Sequence, residues 1–341
     1  MRITIIIAAL ICWCTPAASM TIELERRFGS ELAIEEFTIL SSTDIELFAP
    51  VIEEFVAKRP NIAIHYVLAS SRDIYSAIDT ERAAYDLVIS SAMDLQMKLV
   101  NDGHAGRFES PVTASLPDWA KWRDQLFGFA VEPIVLVVSR RDFAALPIPT
   151  SRRHFLSIIR SNSATFRNRM MTYDVNISGT GFLFATQDAR QSDTFWRLSE
   201  VMGAMGTRLS CCSGEMLARI ESGEIAAAYN VVGSYAQARA VTHENIKVVH
   251  LEDYTNILLR TAFIPHQSQK SQQAGKFLDF LLSSEGQVIL EKQGGLPSIF
   301  NSSIIEITNA KPIGLNTGLL VYLDRLKREN FLREWNAALV Q

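Results

Sequence analysis

Apolar and polar residues alternate along the chain with two periods, one typical of strands and the other typical of helices. Phe37–Leu40 is a short apolar run that predicts a strand, and Thr43-Asp44-Ile45-Glu46 after it has the spacing of a capping box at a helix start. The helix that follows has an apolar residue every three or four positions and ends at Pro60. The next segments predict strand Ile62–Leu68, helix Ser71–Arg82, strand Tyr85–Ile89 and helix Ala92–Asn101.

A long β-rich run, Gly128–Ser139, separates this series from a second one. Pro133 in its middle has no N–H to donate to a sheet ladder, so the run suits a strand that crosses between two domains better than a central strand. Two later runs, Ile246–Leu251 and Ile257–Ile264, predict strands that return the chain to the first domain. The other elements predicted in this half are helix Arg152–Ile159, strand Arg169–Tyr173, helices from Phe182, over Asp193–Met202 and over Ser213–Ile220, strand Ile225–Tyr229, and a closing helix Tyr322–Ala338.

Strands that alternate with helices in this way predict an α/β fold. Two α/β lobes joined by two crossing strands leave a cleft between them. Ligands of open α/β sheets bind beyond the carboxyl ends of the strands, where helices begin. The polar turns that follow the predicted strands are therefore the candidate site.

Short hydroxyl side chains and glycines recur in these turns. Backbone N–H groups and the positive end of the helix dipole attract an anion at a helix start, and Arg72 supplies a cation that can clamp a carboxylate or phosphate. The same residue types also cap helices that bind no ligand, so the prediction depends on several turns meeting in one cleft. The candidate ligand-binding residues are Ser41, Ser42, Thr43, Ser71, Arg72, Ser90, Ser91, Ser178, Gly179, Thr180, Gly181, Ser213, Tyr229, Asn230 and Tyr235.

Tyr229 and Tyr235 have three open interpretations: packing in the core, contact with an organic anion, or ligation of ferric iron as a weak metal-site alternative. Gly179-Thr180-Gly181 has two glycines of a dinucleotide fingerprint but lacks the third, which excludes a nicotinamide site. The sequence has no Gly-x-Ser-x-Gly elbow, no His-Glu-x-x-His helix and no phosphate loop. We therefore expect neither a cofactor nor an enzyme.

Residues 1–19 have the features of a secretory signal peptide. Arg2 precedes an apolar run too short to span a bilayer, and Ala17-Ala18-Ser19 provides small residues for cleavage after Ser19. Removal of this leader leaves about 320 residues, enough for two domains. The net charge of −4 argues against a nucleic-acid partner, because such proteins usually have a basic excess. The mature protein is expected in the periplasm.

Cys211 and Cys212 are the two cysteines that remain after the leader. A bridge between neighbouring residues requires a strained small ring, far from the usual Cα separation of a disulfide. The sequence therefore predicts two small, half-buried thiols, with a redox or soft-metal role as the alternative.

The order and spacing of several sequence blocks resemble the type II periplasmic substrate-binding proteins of ABC importers. The resemblance is to the branch that includes ferric-iron binders and phosphoglycerate-type regulatory binding proteins, and it covers nearly all of the mature chain. The blocks are TILSSTDIELFAPVIEEF, YDLVISSAMDLQMKLVNDG, WRDQLFGFAVEPIVLVVSR, MTYDVNISGTGFLFATQD, SGEMLARIESGEIAAAYNVVGSYA and FLDFLLSSEGQ.

The resemblance implies a two-lobed clamshell that closes over one solute and delivers it to a membrane permease. Some regulatory members instead present their ligand to a sensor histidine kinase. In the ferric members an adjacent pair of tyrosines follows the strand that here ends at Tyr229, and Tyr229-Asn230-Val231-Val232 lacks that pair. This departure favours a small anionic solute, an organic phosphate or carboxylate, over iron.

The predicted division assigns residues 1–19 to the signal peptide, 36–130 and 260–300 to the first lobe, and 131–259 to the second lobe. Residues 301–341 form a helical extension that packs on the lobes. The predicted partners are the anionic solute, a permease and, as the signalling alternative, a kinase ectodomain. The chain is expected to be a monomer.

Overall fold

The computed structural model of the protein describes residues 20–301, 304 and 306–340. The predicted leader, residues 1–19, lies outside the described residues. No helix in the described part of the chain combines the length and the apolar character that a membrane crossing requires.

The described residues form an α/β protein in which strands and helices alternate along most of the chain. The strands are β1 (Ile22–Phe28), β2 (Glu35–Ser41), β3 (Ile62–Ala69), β4 (Leu87–Ser90), β5 (Lys121–Trp122), β6 (Leu126–Ser139), β7 (Met170–Tyr173), β8 (Arg208–Ser210), β9 (Ala227–Val232), β10 (Ile246–Val249), β11 (Thr255–Phe263) and β12 (Ala310–Pro312). The helices are α1 (Ile45–Ala57), α2 (Ser71–Asp79), α3 (Met93–Asn101), α4 (Pro111–Ala114), α5 (Arg152–Ser161), α6 (Ser163–Phe166), α7 (Gly179–Gln191), α8 (Thr194–Ala204), α9 (Ser213–Glu221), α10 (Gly233–Thr242), α11 (Ser271–Leu282), α12 (Ser284–Lys292) and α13 (Arg325–Leu339), with short 3-10 turns at Asp118–Ala120 and Thr317–Leu323.

The first lobe is built on a mixed sheet. β2 runs parallel to both β3 and β4, and β1 lies antiparallel to β3 at the edge. The apolar stripe of α1 packs Phe48 and Phe55 against Phe277 of α11, with ring centroids 6.0 and 5.1 Å apart. Because β2, β3 and β4 are parallel, the turns that follow them meet at one edge of this sheet.

β6 and β11 are the strands that cross between the lobes. The first half of β6 pairs antiparallel with β11, and its second half, from Ile134 onward, pairs with β9 of the second lobe. Pro133 lies where β6 changes partners, a position that suits a residue without an N–H. The predicted fold class, two lobes joined by two crossing strands, is confirmed.

The second lobe contains a parallel set of strands, β7 between β8 and β9. Its outer part is filled by a separate cluster of buried hydrophobic residues, to which α13 contributes Phe331 and Trp335. The Phe331 ring packs edge-on against Phe182 of α7 at a centroid distance of 5.5 Å. Helix α13 near the C-terminus is thus part of the core of this lobe. The residue limits of the two lobes stay a prediction from the sequence.

Two local predictions need correction, and one strand has no counterpart among the predicted elements. The capping box at Thr43–Glu46 is wrong, because α1 has Asp44 as its N-cap without a side-chain bond and the Thr43 hydroxyl accepts from Arg260 instead. The run Ile246–Leu251 does not return the chain to the first lobe, since β10 pairs with the second half of β6. Strand β1 was not predicted, because almost all of its residues are exposed on this edge strand and apolar alternation is lost.

Candidate functional site

A cavity of about 130 Å³ lies between the lobes, next to the ends of β2 and β3 and the starts of α2, α7 and α9. Both lobes contribute hydroxyl side chains to it. The structure brings together about half of the candidate residues. Those that line the cavity are Ser42, Ser71, Ser91, Ser178, Thr180, Ser213 and Tyr235.

The wall from the first lobe consists of the turns after β2, β3 and β4. Ser42 Oγ accepts a hydrogen bond from the Ser91 backbone N–H at 3.3 Å, and Ser70 Oγ caps α2 by accepting from the Asp73 N–H at 3.2 Å. Ser71 lines the cavity, is 8% exposed, and its hydroxyl has no hydrogen-bond partner among the described residues. That hydroxyl is therefore available to a solute.

The wall from the second lobe is formed by two helix starts. Ser178 caps α7 by accepting from the Gly181 N–H at 3.1 Å. Helix α9 begins after Cys212 with no side-chain cap. The first backbone N–H groups of a helix have no hydrogen-bond partner within that helix. In α9 these include the N–H groups of Ser213 and Gly214. Both residues line the cavity, so their N–H groups are available to a solute. The Ser213 hydroxyl is engaged, because it bonds Tyr173 Oη at 2.6 Å and accepts from the Val232 N–H at 3.0 Å.

The two walls touch each other directly. Ser91 Oγ of the first lobe and Thr180 Oγ1 of the second are hydrogen-bonded at 2.9 Å. A Cβ at Gly179 would lie 2.7 Å from Leu95 Cδ1 and 2.8 Å from Ser71 Oγ, so any larger residue would force these two side chains of the first lobe to move. Within the second lobe, a Cβ at Gly181 would lie 2.3 Å from Tyr173 Cβ, so glycine allows α7 to pack closely against β7. The two lobes are therefore in direct contact beside the cavity.

Arg260, which the sequence analysis did not select, is the cation in the cavity lining. Its side chain is 1% exposed; Nε donates to Glu132 Oε1 at 2.7 Å and Nη1 donates to Thr43 Oγ1 at 2.7 Å. Ser234 also donates to Glu132. Arg260 lies on β11 and Glu132 on β6, so this ion pair joins the two crossing strands directly below the cavity.

Arg72, the cation selected from the sequence, is exposed and lies outside the cavity lining. Ser41, Thr43 and Ser90 lie behind the wall instead of in it. Ser41 Oγ accepts from the Thr43 N–H at 3.0 Å, and Ser90 Oγ accepts from the Ala92 N–H at 3.2 Å. The side chains of Ser41 and Ser90 thus fix the turns that present Ser42 and Ser91, whereas the Thr43 hydroxyl accepts from Arg260.

Tyr229 and Asn230 also lie outside the cavity, in a buried polar network around Asp188. Tyr229 Oη and Asn230 Nδ2 donate to Asp188 Oδ2 at 2.7 and 2.9 Å, and Arg152 Nη2 lies 3.3 Å from Asp188 Oδ1. Burial raises the pKa of Tyr229 well above its usual range, which opposes the phenolate that iron would need. Tyr235 does line the cavity; its pKa is raised by burial to about 12.

No group of three or more His, Cys, Asp or Glu side chains within the described ranges is arranged to hold a metal ion. In that part of the chain, no such group of side chains is present to complete an iron site with Tyr229 or Tyr235.

Two acidic residues complete the lining, and neither was selected from the sequence. Glu23 comes from the edge strand β1, and Asp44 is the N-cap of α1. Burial raises the pKa of both carboxyl groups; for Glu23 the nearby Asp44 and Asp73 add to the rise, and for Asp44 the Arg260 guanidinium opposes it. The signal that could have identified Asp44 is its position directly after the Ser-Ser-Thr turn.

Cys211 and Cys212 form a disulfide between neighbouring residues, so the prediction of two free thiols was wrong. Most disulfides join residues whose Cα atoms lie farther apart than those of chain neighbours. Here the backbone at Cys212, just before α9, is extended and accommodates the small ring that the disulfide closes. The disulfide lines the cavity next to Gly214. It therefore forms part of the wall of the candidate site.

Residues 37–295 match the family model of bacterial extracellular solute-binding proteins. A substrate-binding protein of an ABC transporter from Agrobacterium tumefaciens is 31% identical, with a TM-score of 0.89 over 94% of this chain and 100% of that one. The periplasmic binding protein AfuA from Actinobacillus pleuropneumoniae, with fructose-6-phosphate bound, is 15% identical, with a TM-score of 0.73 over 90% of this chain and 99% of that one. Iron-bound HitA from Pseudomonas aeruginosa is 14% identical, with a TM-score of 0.68 over 89% and 99%. No curated protein matches the chain.

Proposed function

The chain belongs to the bacterial extracellular solute-binding proteins and is a periplasmic solute-binding protein of an ABC transporter; from this premise we propose that it captures a small anionic solute in the cavity between its lobes. The solute class is an organic phosphate or carboxylate. The observation that carries the proposal is the meeting of uncapped helix N–H groups and an unpartnered hydroxyl in one cavity.

The anionic group is expected at the start of α9. The N–H groups of Ser213 and Gly214 and the positive end of the helix dipole favour negative charge there. The Ser71 hydroxyl, from the opposite lobe, adds a donor once the lobes close. A solute held by donors from both lobes stabilises the closed form relative to the open one, because only the closed form satisfies both sets of contacts.

Iron is the weaker alternative. Its support in the sequence was the pair Tyr229 and Tyr235, and the hydroxyl of Tyr229 is used by Arg152 and Asp188. Delivery to a permease accords with the family. A kinase ectodomain as partner and the monomeric state stay predictions from the resemblance.

Titration calorimetry of the mature protein tests this proposal. We expect heat of binding from short alkyl phosphates or carboxylates and none from ferric citrate beyond its citrate control. If inorganic phosphate, propyl phosphate, pentanoate and their amino and hydroxy analogues all fail to bind, the anion proposal is wrong.

Ser71→Ala is expected to weaken anion binding by about 1.5–3 kcal/mol, the scale of a hydrogen bond to a charged group. The unfolding temperature of the unliganded protein should stay within a degree or so, because the hydroxyl has no partner to lose. The matched control is Ser157→Ala, an exposed serine on α5 outside the cavity whose hydroxyl also has no partner among the described residues. Equal affinity in wild type and Ser71→Ala would remove Ser71 from the site.

A further inference from the structure

Among the described residues, three charged side chains line the cavity: Glu23, Asp44 and Arg260. The positive charge of Arg260 is already matched, since Nε and Nη2 both donate to Glu132, at 2.7 and 3.3 Å. The carboxyl groups of Glu23 and Asp44 therefore have no equivalent cation in the lining. A solute with negative charge alone would meet donors on one side of the cavity and carboxylates on another.

Asp44 is not used in the way an N-cap aspartate usually is. Such a side chain normally accepts a hydrogen bond from the second or third N–H of its helix. In α1 no such bond is formed, and the carboxyl group lies near the Tyr235 hydroxyl and the Arg260 guanidinium at the cavity instead. This orientation of the Asp44 side chain leaves the first turn of α1 without a side-chain cap. The described structure shows no other contact of this side chain within α1 that makes up for the missing cap.

The carboxyl group of Glu23 is unfavourably placed for a negative charge. Burial raises the pKa of Glu23, and the nearby carboxyl groups of Asp44 and Asp73 add to the rise. Asp73 is engaged by Ser70 Oγ at 2.7 Å, whereas Glu23 has no hydrogen bond or ion pair among the described residues. A cation bound between Glu23 and Asp44 would relieve this repulsion and favour the charged carboxylates.

An independent observation favours an anionic group in the same cavity. Ser71 is more than nine-tenths buried and lines the cavity, and its hydroxyl has no partner in the described structure. The uncapped start of α9 faces the same space from the second lobe. The cavity thus has donors for a negative group and, in the first lobe, acceptors for a positive one.

Resting on the proposed function, we propose that the solute is zwitterionic: its phosphate or carboxylate lies at the start of α9 and Ser71, and an ammonium group lies against Asp44 and Glu23. The competing occupant is a hydroxylated anion, whose O–H groups would donate to the same carboxylates without a charge. If the solute is a zwitterion, replacing its amine by a hydroxyl of similar size should weaken binding strongly. If the solute is a hydroxylated anion, the hydroxyl probe should bind as well as the amine.

Calorimetric titration with matched probes tests the proposal. The phosphate series is 2-aminoethyl, 2-hydroxyethyl and propyl phosphate, and the carboxylate series is 4-aminobutyrate, 4-hydroxybutyrate and pentanoate. We expect the amine to bind at least tenfold tighter than the hydroxyl and methyl analogues in one series. Binding of the hydroxyl or methyl analogue as tightly as the amine would overturn the zwitterion and leave the anion proposal standing. No binding of any probe would instead overturn both.

The variant Asp44→Asn tests whether the carboxyl group of Asp44 causes the preference for the amine probe. The amide keeps the size of the side chain, and we expect it to reduce the amine preference to less than threefold while binding of propyl phosphate or pentanoate is unchanged or tighter. Glu23→Gln, on the edge strand, is the second variant and should reduce the preference in the same direction. Asp118→Asn, an exposed carboxyl outside the cavity, is the control. An amine preference that survives both cavity variants would assign the cation to another position.

Discussion

Replacing Arg152 by methionine is expected to lower the free energy of unfolding by about 3–5 kcal/mol, the usual cost of removing one partner of a buried ion pair. Arg152 is 2% exposed; Nη2 lies 3.3 Å from Asp188 Oδ1, Nη1 donates to the Tyr254 carbonyl at 2.8 Å, and Nε donates to Tyr229 Oη at 2.6 Å. Without Arg152, the fully buried Asp188 has no ion-pair partner in the part of the chain that the structure describes. Urea unfolding followed by circular dichroism measures the loss.

Two comparisons make this expectation specific. Arg325→Met removes an exposed pair with Glu329, and should change the free energy of unfolding by less than about 1 kcal/mol. Adding Asp188→Asn to Arg152→Met should recover part of the loss, because the uncompensated buried charge is then gone. A loss below about 1 kcal/mol in Arg152→Met would mean that the network around Asp188 does not hold the second lobe together.

Gly214→Asp is expected to weaken solute binding by about 3 kcal/mol or more, over a hundredfold in Kd. The new carboxylate would lie at the second position of α9, compete for the N–H groups that a solute anion needs and repel that anion. The fold should be unaffected, since a Cβ at Gly214 meets nothing within 4 Å and a negative charge is favourable at a helix N-terminus. Calorimetry with the tightest probe of the series above gives the affinity.

The neutral variants Gly214→Ala and Gly214→Asn separate charge from size. Gly214→Ala should bind within a fewfold of wild type, and Gly214→Asn should lie between wild type and Gly214→Asp. If Gly214→Asp binds as tightly as wild type at an unchanged unfolding temperature, the start of α9 is not the anion site.

The two-lobed fold could be predicted from the sequence because its evidence is local. The apolar stripe after Asp44, the proline within Gly128–Ser139 and the Ser-Gly turn before Phe182 each report a strand or helix boundary on their own. Ser178, Thr180 and Ser213 line the cavity for the same reason, since residues at helix starts after parallel strands lie at one edge of the sheet.

The charged part of the candidate site could not be predicted in this way. Arg260 is a single charged residue within an apolar strand. Its ion-pair partner, Glu132, lies 128 positions earlier on the other crossing strand, so no local pattern indicates that Arg260 is buried at the cavity. Glu23 lies on an edge strand whose exposed residues give no periodic signal. Arg72 was selected because it follows a turn, but its side chain is exposed outside the cavity.

The most direct test of the central claim is native mass spectrometry of the mature protein purified from the periplasm of its source bacterium. A single small molecule is expected to remain bound to the wild type, to carry both an acidic and an amino group when released and fragmented, and to be missing from Gly214→Asp. An equal amount of the same molecule on both proteins would contradict the account, because the space between the lobes would then not be where the solute binds.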